Sequence, residues 1–379
     1  MDAQAPRSER LRQFLAVDPG NAALRVSMFD ALIEEGLHEQ AVQAAAQALQ
    51  AHADDAAWCY RLGVAQARAG QWPQADQTLS ALVQATPEPA PALWHELAMV
   101  KLRCGADDEA VALLQAATED PDHIAMLPGA ELQLLRTLHR LGRLDEGLAL
   151  GQRALQRRPR HGGLRAALAT LCIDADRNDL LPALLAEAPD AAELPPMAQA
   201  ELASAQGFVA LQQDDLAAAT AQFGRSLAAV PDLARSQLGL GMALAAQGQV
   251  ADAEAHLRQA TAGMPSHLGS WHALAWLQLA QGHLDAAEAT FQHVLALDDT
   301  FAESHGGLAV VAALRGDTDT ARERVRVALR LDRESANAMA AQLVLRHGSL
   351  QSPELMRDAL AVLARRPGLH LPARLRGNP

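Results

Sequence analysis

Apolar positions along the chain recur as pairs of a leucine and a small residue, and each pair lies about eight residues before a turn. These pairs are Leu62 with Gly63, Leu97 with Ala98, Leu240 with Gly241, Leu274 with Ala275, and Leu308 with Ala309. Small residues let two helices approach closely, and leucines fill the grooves between them. The pattern therefore predicts closely packed α-helices.

Glycines mark the turns at a nearly constant period. They stand 34, 35 and 37 residues apart in the first part of the chain and 34 apart in the second: Gly36, Gly70, Gly105, Gly142, then Gly248, Gly282, Gly316. Asp176 and Asp214 take the equivalent places between the two series. An alanine follows most turns by five residues: Ala41, Ala75, Ala110, Ala219, Ala253, Ala287 and Ala321. Because glycine tolerates a positive φ, we expect each turn to join two antiparallel helices.

Prolines close the repeating unit. They stand seventeen residues after a turn, where proline ends a helix: Pro87, Pro159, Pro231 and Pro265. One helix pair cannot bury its own apolar face, so neighbouring pairs must stack to form a continuous core. The sequence therefore predicts an all-α solenoid of antiparallel helix pairs.

These positions resemble the tetratricopeptide-repeat family over roughly residues 20 to 345. Trp94 and Trp271 match the family's tryptophan position, and Phe223 and Phe291 match its aromatic position in the second helix. The resemblance implies a right-handed superhelix of about nine or ten repeats, starting near residues 22, 56, 91, 128, 162, 200, 234, 268, 302 and 336.

The predicted array has four parts. Residues 1–21 form an N-terminal capping helix, 22–190 a first array, 191–350 a second array, and 351–379 a capping helix and tail. The repeat near 162–190 lacks the glycine turn and contains Pro182, which predicts a short or irregular second helix. Extra residues near Asp122 also interrupt the period, and these interruptions are candidate hinges.

The resemblance implies that the first helix of each pair lines a concave surface where partners bind. Helical phase gives this surface two unlike halves. In the first half the candidates are polar, and they favour an acidic peptide or carboxylate: Arg61, Arg68, His95, Arg103, Arg136 and Arg140. In the second half the candidates are apolar, and they favour an apolar segment or helix: Phe208, Met242, Trp276 and Leu279. The alternative is that many of these side chains only pack between repeats or solubilise the surface.

Charge is distributed unevenly within a formal net charge of −13. Residues 1–121 and 166–314 are acidic, whereas 122–165 and 315–379 are basic. Such blocks can steer a partner or a second copy of the chain, although charged surfaces often serve only solubility. Lys101 is the only lysine among 32 basic residues, a bias that indicates a high-GC bacterial genome.

No motif for chemistry stands outside the repeat pattern. Cys59, Cys104 and Cys172 are far apart and are expected to be buried, inert thiols on first helices. The histidines between residues 256 and 305 lack metal-ligand spacing, and His272 is expected to face the groove. We therefore expect no enzyme activity, no metal and no cofactor.

The charge-free run at residues 261–284 contains too many polar residues to span a membrane, and the first residues do not resemble a secretion signal. These features favour a cytoplasmic scaffold or adaptor that binds a protein or peptide in a bacterial multiprotein assembly. One alternative is a targeting or regulatory subunit of a separate glycosyl- or sulfotransferase. Another is RNA binding through the basic segment, which the overall acidity disfavours. Self-association through the ends stays open.

Overall fold

The computed structural model describes residues 6–51, 53–127, 129–175, 177–186 and 194–347. Within these ranges the regular structure is helical, with 21 α-helices, one short 3₁₀-helix and no strand. The predicted all-α repeat fold is confirmed. The chain divides into two compact units, one through Leu150 and one from Gly151 onward. That division lies inside α10, whereas the repeat pattern placed its irregular point near residue 190.

The first unit consists of α1 and the helix pairs that follow it. The helices are α1 (Arg7–Val17), α2 (Ala22–Glu34), α3 (His38–Ala51), α4 (Ala56–Arg68), α5 (Trp72–Ala85), α6 (Pro91–Cys104), α7 (Asp107–Ala117), α8 (Pro121–Met126), α9 (Ala130–Arg140) and the start of α10 (Leu144–Arg157). The extra residues near Asp122 form the short helix α8 between two pairs.

The second unit continues from α10. Its helices are α11 (Gly162–Asp174), α12 (Leu181–Ala186), α13 (Pro196–Gln212), α14 (Leu216–Ala229), α15 (Ala234–Ala246), α16 (Val250–Gly263), α17 (Leu268–Ala280), α18 (Leu284–Leu297), α19 (Ala302–Leu314), α20 (Thr318–Leu331) and α21 (Ala336–His347). A 3₁₀-helix at Asn178–Leu180 precedes the six-residue α12. The irregular second helix predicted near Pro182 begins with this 3₁₀-helix, and residues 187–193 that follow α12 lie outside the described residues.

The turns have the predicted backbone geometry. Seven glycines adopt φ between 70° and 82°: Gly36, Gly70, Gly105, Gly142, Gly248, Gly282 and Gly316. Asp214 takes φ 61° at the equivalent turn, as its position in the series predicted. Asp176, the capping helix predicted at 352–366 and the predicted tail lie outside the described residues.

Alanine at the predicted second-helix position lets the paired helices touch. Every member of the series is fully buried: Ala41, Ala75, Ala110, Ala219, Ala253, Ala287 and Ala321. A larger side chain would push the two helices apart, because the interior is close-packed. These alanines therefore explain why the apolar content of the chain is rich in small residues.

Aromatic rings anchor the core of each unit. In the first unit Phe29 packs edge-on against Trp58, with ring centroids 6.0 Å apart. In the second, the ring centroids of Phe208 and Phe223 are 5.1 Å apart in the same arrangement.

No helix in the described ranges combines the length and the apolar character that crossing a bilayer requires.

Candidate functional site

Two of the first-unit arginines predicted to bind a partner lie over tryptophan rings of their own chain. The Arg61 guanidinium is 5.2 Å from the centroid of the Trp58 ring. The Arg103 guanidinium is 5.6 Å from that of Trp72. These distances are those of cation–π contacts. Arg61 is therefore oriented by a ring of its own helix α4, and Arg103 on α6 by a ring of α5 in the preceding helix pair.

Two other arginines face carboxylates. Arg140 bonds Asp107 with two N–H groups, at 2.8 and 3.3 Å. This pairing lowers the pKa of Asp107 and raises the pKa of Arg140. Arg68 is 4.0 Å from Glu96. An acidic ligand would have to compete with these internal carboxylates.

His95 on α6 and Arg136 on α9 are both half-buried. They complete the first-unit residues that the helical phase selected. The structure places all six on first helices. An acidic ligand for this unit stays a prediction.

The apolar candidates of the second unit are largely buried. Phe208 is 8% exposed and Leu279 is 6% exposed, so both side chains belong to the core of the second unit. Met242 and Trp276 are half-buried and pack against that core. Neighbouring repeats thus cover most of the apolar side chains that the helical phase selected. Phe208 and Leu279 offer little surface to a partner, and a direct contact through them stays a prediction.

His272 is buried, whereas the sequence predicted that it faces the groove. It is 2% exposed, and burial lowers its pKa from 6.5 to about 4. Its Nε2 accepts hydrogen bonds from Trp276 Nε1 at 3.0 Å and Asn337 Nδ2 at 3.3 Å. Because both partners only donate, the ring proton lies on Nδ1. His272 is therefore a neutral packing residue.

The second unit contains a cavity of about 300 Å³ along its first helices. Helices α11, α13 and α15 and the end of α16 form its walls. Its lining residues are Thr170, Glu201, Ser204, Asp232, Leu233, Ala234, Arg235, Gly263 and Met264. Polar groups from three successive repeats thus meet in one concave place, which is the usual form of a binding site.

An ion pair fixes one wall of this cavity. Arg235 at the start of α15 makes two contacts with the carboxylate of Asp174 at the end of α11. The side chains are only 11% and 18% exposed. A two-point guanidinium–carboxylate contact is directional, so it holds α15 in register with α11 across the intervening repeat.

Hydroxyl groups line the opposite wall. Ser204 is 1% exposed, and its Oγ has no hydrogen-bond partner. Thr170 donates its hydroxyl proton to Ala166 O at 3.1 Å, which leaves its oxygen able to accept. A buried hydroxyl without a partner is uncommon and is a place where a ligand or water can bond.

The loop before α15 forms the rim. Gln237 Nε2 donates to Pro231 O at 2.9 Å, and Gln237 Oε1 is 2.6 Å from His256 Nδ1. These bonds hold the loop that carries Asp232 and Leu233. Asp232 is exposed, so its carboxylate meets both the cavity and solvent.

A close helix contact shapes the remaining side. A Cβ atom added to Gly263 would lie 2.6 Å from Ala234 Cβ. This separation is too short for two carbon atoms, so glycine is required for the end of α16 to approach α15. Met264 follows directly and supplies an apolar patch of the wall.

The three thiols differ in exposure, which corrects the prediction that all are buried. Cys104 is exposed, Cys59 is half-buried and Cys172 is buried. Burial raises the pKa of Cys172 to about 11, so this thiol is protonated near neutral pH. Within the described residues no group of His, Cys, Asp or Glu side chains converges as metal ligands.

Sequence reasoning missed the cavity. Its polar residues Glu201, Ser204 and Arg235 are on first helices, but they lie nearer the helix starts than the apolar positions that drew attention. A usable signal was the opposite charge of Asp174 and Arg235 on first helices two repeats apart. That spacing predicts a cross-repeat ion pair only if the irregular repeat that carries Asp174 keeps the register.

Family models described as tetratricopeptide repeat match residues 32–95, 204–267 and 244–309. No match was found among curated proteins. A solved structure of the human IFIT1 dimer with PPP-AAAA is similar at TM-score 0.55 and 15% identity, covering 96% of this chain and 91% of that one.

A second similar structure is that of the APC/C hetero-tetramer Cut9-Hcn1, at TM-score 0.50 and 14% identity, with 94% of this chain and 82% of that chain covered. At such low identity these likenesses establish the fold alone. Repeats of this type indicate a protein-interaction scaffold in general. The family-model matches, the recurrent turn glycines and buried alanines, and the paired helices agree that this chain contains tetratricopeptide repeats.

Proposed function

We propose that the chain is a non-catalytic scaffold or adaptor that holds an extended segment of a partner protein along the first helices of its second unit. The observation that carries this proposal is the cavity, in which three successive first helices present polar groups. Half-buried Met242 and Trp276 lie on α15 and α17 of the same unit and can extend the contact beyond the cavity. Phe208 and Leu279 support these surfaces from within the core.

The partner assembly is proposed to be bacterial, because the chain uses arginine almost to the exclusion of lysine. The free thiols Cys59, Cys104 and Cys172 are consistent with a reducing, cytoplasmic compartment. A separate transferase chain is one class of partner that would give this protein a targeting role. The acidic ligand proposed for the first unit would be a second contact of the same scaffold.

Site-specific photocrosslinking tests the proposal. A benzophenone amino acid replaces Met264 in the cavity wall or Met242 on α15, and the tagged full-length protein is irradiated in cells. We expect discrete protein adducts, which mass spectrometry then identifies. The control carries the same probe at Arg225, an exposed position on the second helix α14. Adducts that form equally at Arg225, or none at the two methionines, would contradict the proposal.

RNA binding is the second candidate. Arg153 and Arg160, near the end of α10, are exposed in a basic segment, and the similar IFIT1 structure contains PPP-AAAA. Phosphate binding by arginines releases counterions, so RNA affinity would fall steeply as salt increases.

Fluorescence anisotropy with a labelled single-stranded RNA tests this candidate. Replacement of Arg157, Arg158 and Arg160 by glutamate is expected to abolish salt-sensitive binding. The charge-matched control replaces three other exposed arginines by glutamate. These are Arg322 and Arg326 on α20, and Arg333 just after it. Equal loss in both variants would indicate nonspecific attraction and remove RNA as a function.

A further inference from the structure

We infer that a partner segment crossing the later first helices of the second unit is an amphipathic α-helix whose polar face is basic. The inference deepens the proposed function and rests on it. It adds the conformation and the charge of the segment, where the repeat pattern predicted either an apolar segment or a helix.

The surface for this helix is an apolar trough on α15, α17 and α19. Six half-buried or exposed side chains form it: Met242, Ala245, Ala246, Trp276, Ala280 and Leu314. Ala246, Ala280 and Leu314 are equivalent positions, each 34 residues from the next. The trough residues of α15 pack against one hydrophobic cluster of the core, and Trp276 and Leu314 pack against the next. The trough therefore continues over three successive repeats.

The side chains of the trough offer a partner no free hydrogen-bonding group. Trp276 Nε1 is the one side-chain nitrogen or oxygen atom among the six residues, and it donates to His272 Nε2 at 3.0 Å. An extended segment would lay its own N–H and C=O groups against apolar side chains, where they would lack partners. A helix bonds these groups internally and presents only side chains, so the trough favours a helix.

Alanines in the trough allow a helix to come close. Ala245, Ala246 and Ala280 are all accessible from outside the core. Small residues at a helix crossing let the two helix axes approach, and larger side chains of the second helix fill the space above them. Met242 lies beside the alanines of α15, and its flexible thioether can adapt to those side chains. The partner helix is therefore expected to place leucine-sized residues over the alanines.

The stretch of chain that carries the trough is acidic. Residues 234–314 contain two arginines, no lysine and seven carboxylates. Arg315, just beyond α19, pairs with Asp285 and Glu288 and lowers the negative excess by one. Internal ion pairs leave the net charge unchanged, because each pair contains one charge of either sign. Basic residues on the polar face of a docked helix would therefore be attracted, and acidic residues would be repelled.

The test measures binding of capped, labelled peptides to the full chain by fluorescence anisotropy. The basic peptide repeats the heptad Leu-Lys-Ala-Leu-Ala-Lys-Ala over about 16 residues, enough for a helix of several turns. The proline analogue has proline in place of one central alanine, and the acidic analogue has glutamate in place of every lysine. Transferred nuclear Overhauser effects report whether the bound basic peptide is helical.

We expect the basic peptide to bind as a helix and at least about tenfold more tightly than the proline analogue, because proline breaks the helix. The acidic analogue should bind at least about threefold more weakly than the basic peptide, and salt should reduce that difference. Equal affinity of the basic and proline peptides would overturn the helical assignment. An acidic analogue that binds as tightly as the basic peptide would overturn the assigned charge.

Variants locate the binding without changing the charge of the protein. Ala246→Gln with Ala280→Gln puts polar bulk into the trough and should weaken binding of the basic peptide by about tenfold or more. The matched control, Ala289→Gln with Ala296→Gln, changes exposed alanines of α18 and should bind as the wild type does. Ala280→Gln alone, at an exposed position, repeats the test if the double variant fails to fold. Equal affinity of the trough variant and its control would overturn the assignment.

The outcomes separate this inference from the proposed function. Protein photoadducts at Met242 together with equal binding of the basic and proline peptides would leave the scaffold standing and reject the helix. An absence of photoadducts at both Met242 and Met264 would reject the scaffold and the partner helix with it. Self-association in sedimentation velocity that the basic peptide abolishes would assign the trough to a second copy of the chain and overturn the partner helix. Photoadducts at Met242 with preferential binding of the basic peptide would support both.

Discussion

Trp276 Nε1 donates a hydrogen bond to His272 Nε2 at 3.0 Å, four residues earlier on the same helix. Asn337 Nδ2 approaches the same nitrogen at 3.3 Å from α21. Glu303 on α19 accepts from the backbone N–H groups of Ala336 and Asn337, at 3.0 and 2.9 Å. Trp276, which is half-buried and was predicted to contact a partner, is thus also hydrogen-bonded to the buried His272.

Trp276→Phe should lower the free energy of unfolding by about 1 kcal/mol, because it keeps the ring and removes the N–H donor. Urea denaturation followed by circular dichroism measures the loss. Trp271→Phe is the control, since it removes an indole bond to Pro265 O that is exposed to solvent. We expect a smaller change there. Equal losses in the two variants would mean that the Trp276 hydrogen bond stabilises the fold no more than the exposed Trp271 hydrogen bond does.

His272 should make the second unit sensitive to acid. Its pKa is about 4 in the folded protein and near 6.5 when the chain unfolds. The stability that depends on neutral His272 is therefore fully present above pH 6.5 and is lost progressively as the pH falls toward 4. The difference amounts to about 3 kcal/mol.

Urea denaturation between pH 4 and pH 8 checks this prediction. In His272→Gln the loss of stability with falling pH should be smaller than in the wild type by that amount. Parallel pH profiles for wild type and His272→Gln would show that burial does not keep this imidazole neutral.

Two glycines of the second unit hold Phe223 between successive first helices. A Cβ atom at Gly207 would lie 2.7 Å from the ring, and one at Gly239 would overlap it. Gly239→Ala should therefore cost about 1–3 kcal/mol of stability through overpacking. Gly224→Ala, on a helix with nothing within 4 Å of the added Cβ, should instead stabilise by about 0.5–1 kcal/mol. Thermal melts of both variants distinguish these opposite signs.

The effects of substitutions at Asp174 and Arg235 on the free energy of unfolding should be strongly coupled. Asp174→Ala alone should cost about 3 kcal/mol, because it leaves a largely buried guanidinium without its carboxylate. Asp174→Leu with Arg235→Met should cost less than that single change. In a double-mutant cycle the coupling should exceed about 1 kcal/mol.

The comparison pair is Arg326 with Glu323, whose side chains are 71% and 56% exposed. Its coupling should stay below about 1 kcal/mol, because water screens exposed charges. Additive effects at Asp174 and Arg235 would mean that the buried contact does not connect α11 to α15.

The repeats were predictable because their signals are local. A turn with positive φ favours glycine wherever it occurs, and a helix crossing favours alanine at a fixed distance from that turn. Asp214 was identified from period alone, and its φ of 61° agrees. The short α12 followed in the same way from Pro182 and the missing glycine.

The surface was less predictable because burial depends on neighbours. Phe208, His272 and Leu279 lie on the expected helix face, yet the adjoining repeats cover them. The cavity depends on the packing of α11, α13 and α15 around an irregular repeat. Helical phase describes one helix at a time, so it cannot show which side chains a neighbouring helix will cover.

The contact from Asp174 to Arg235 passes over one repeat, and so does the contact from His272 to Asn337. An ideal stack joins each helix pair only to its immediate neighbours and can fray from the ends one pair at a time. Contacts between next-but-one repeats instead require three pairs to open together. Amide protons of α13 and α19, the bridged helices, should then exchange with solvent in step with the helices on both sides.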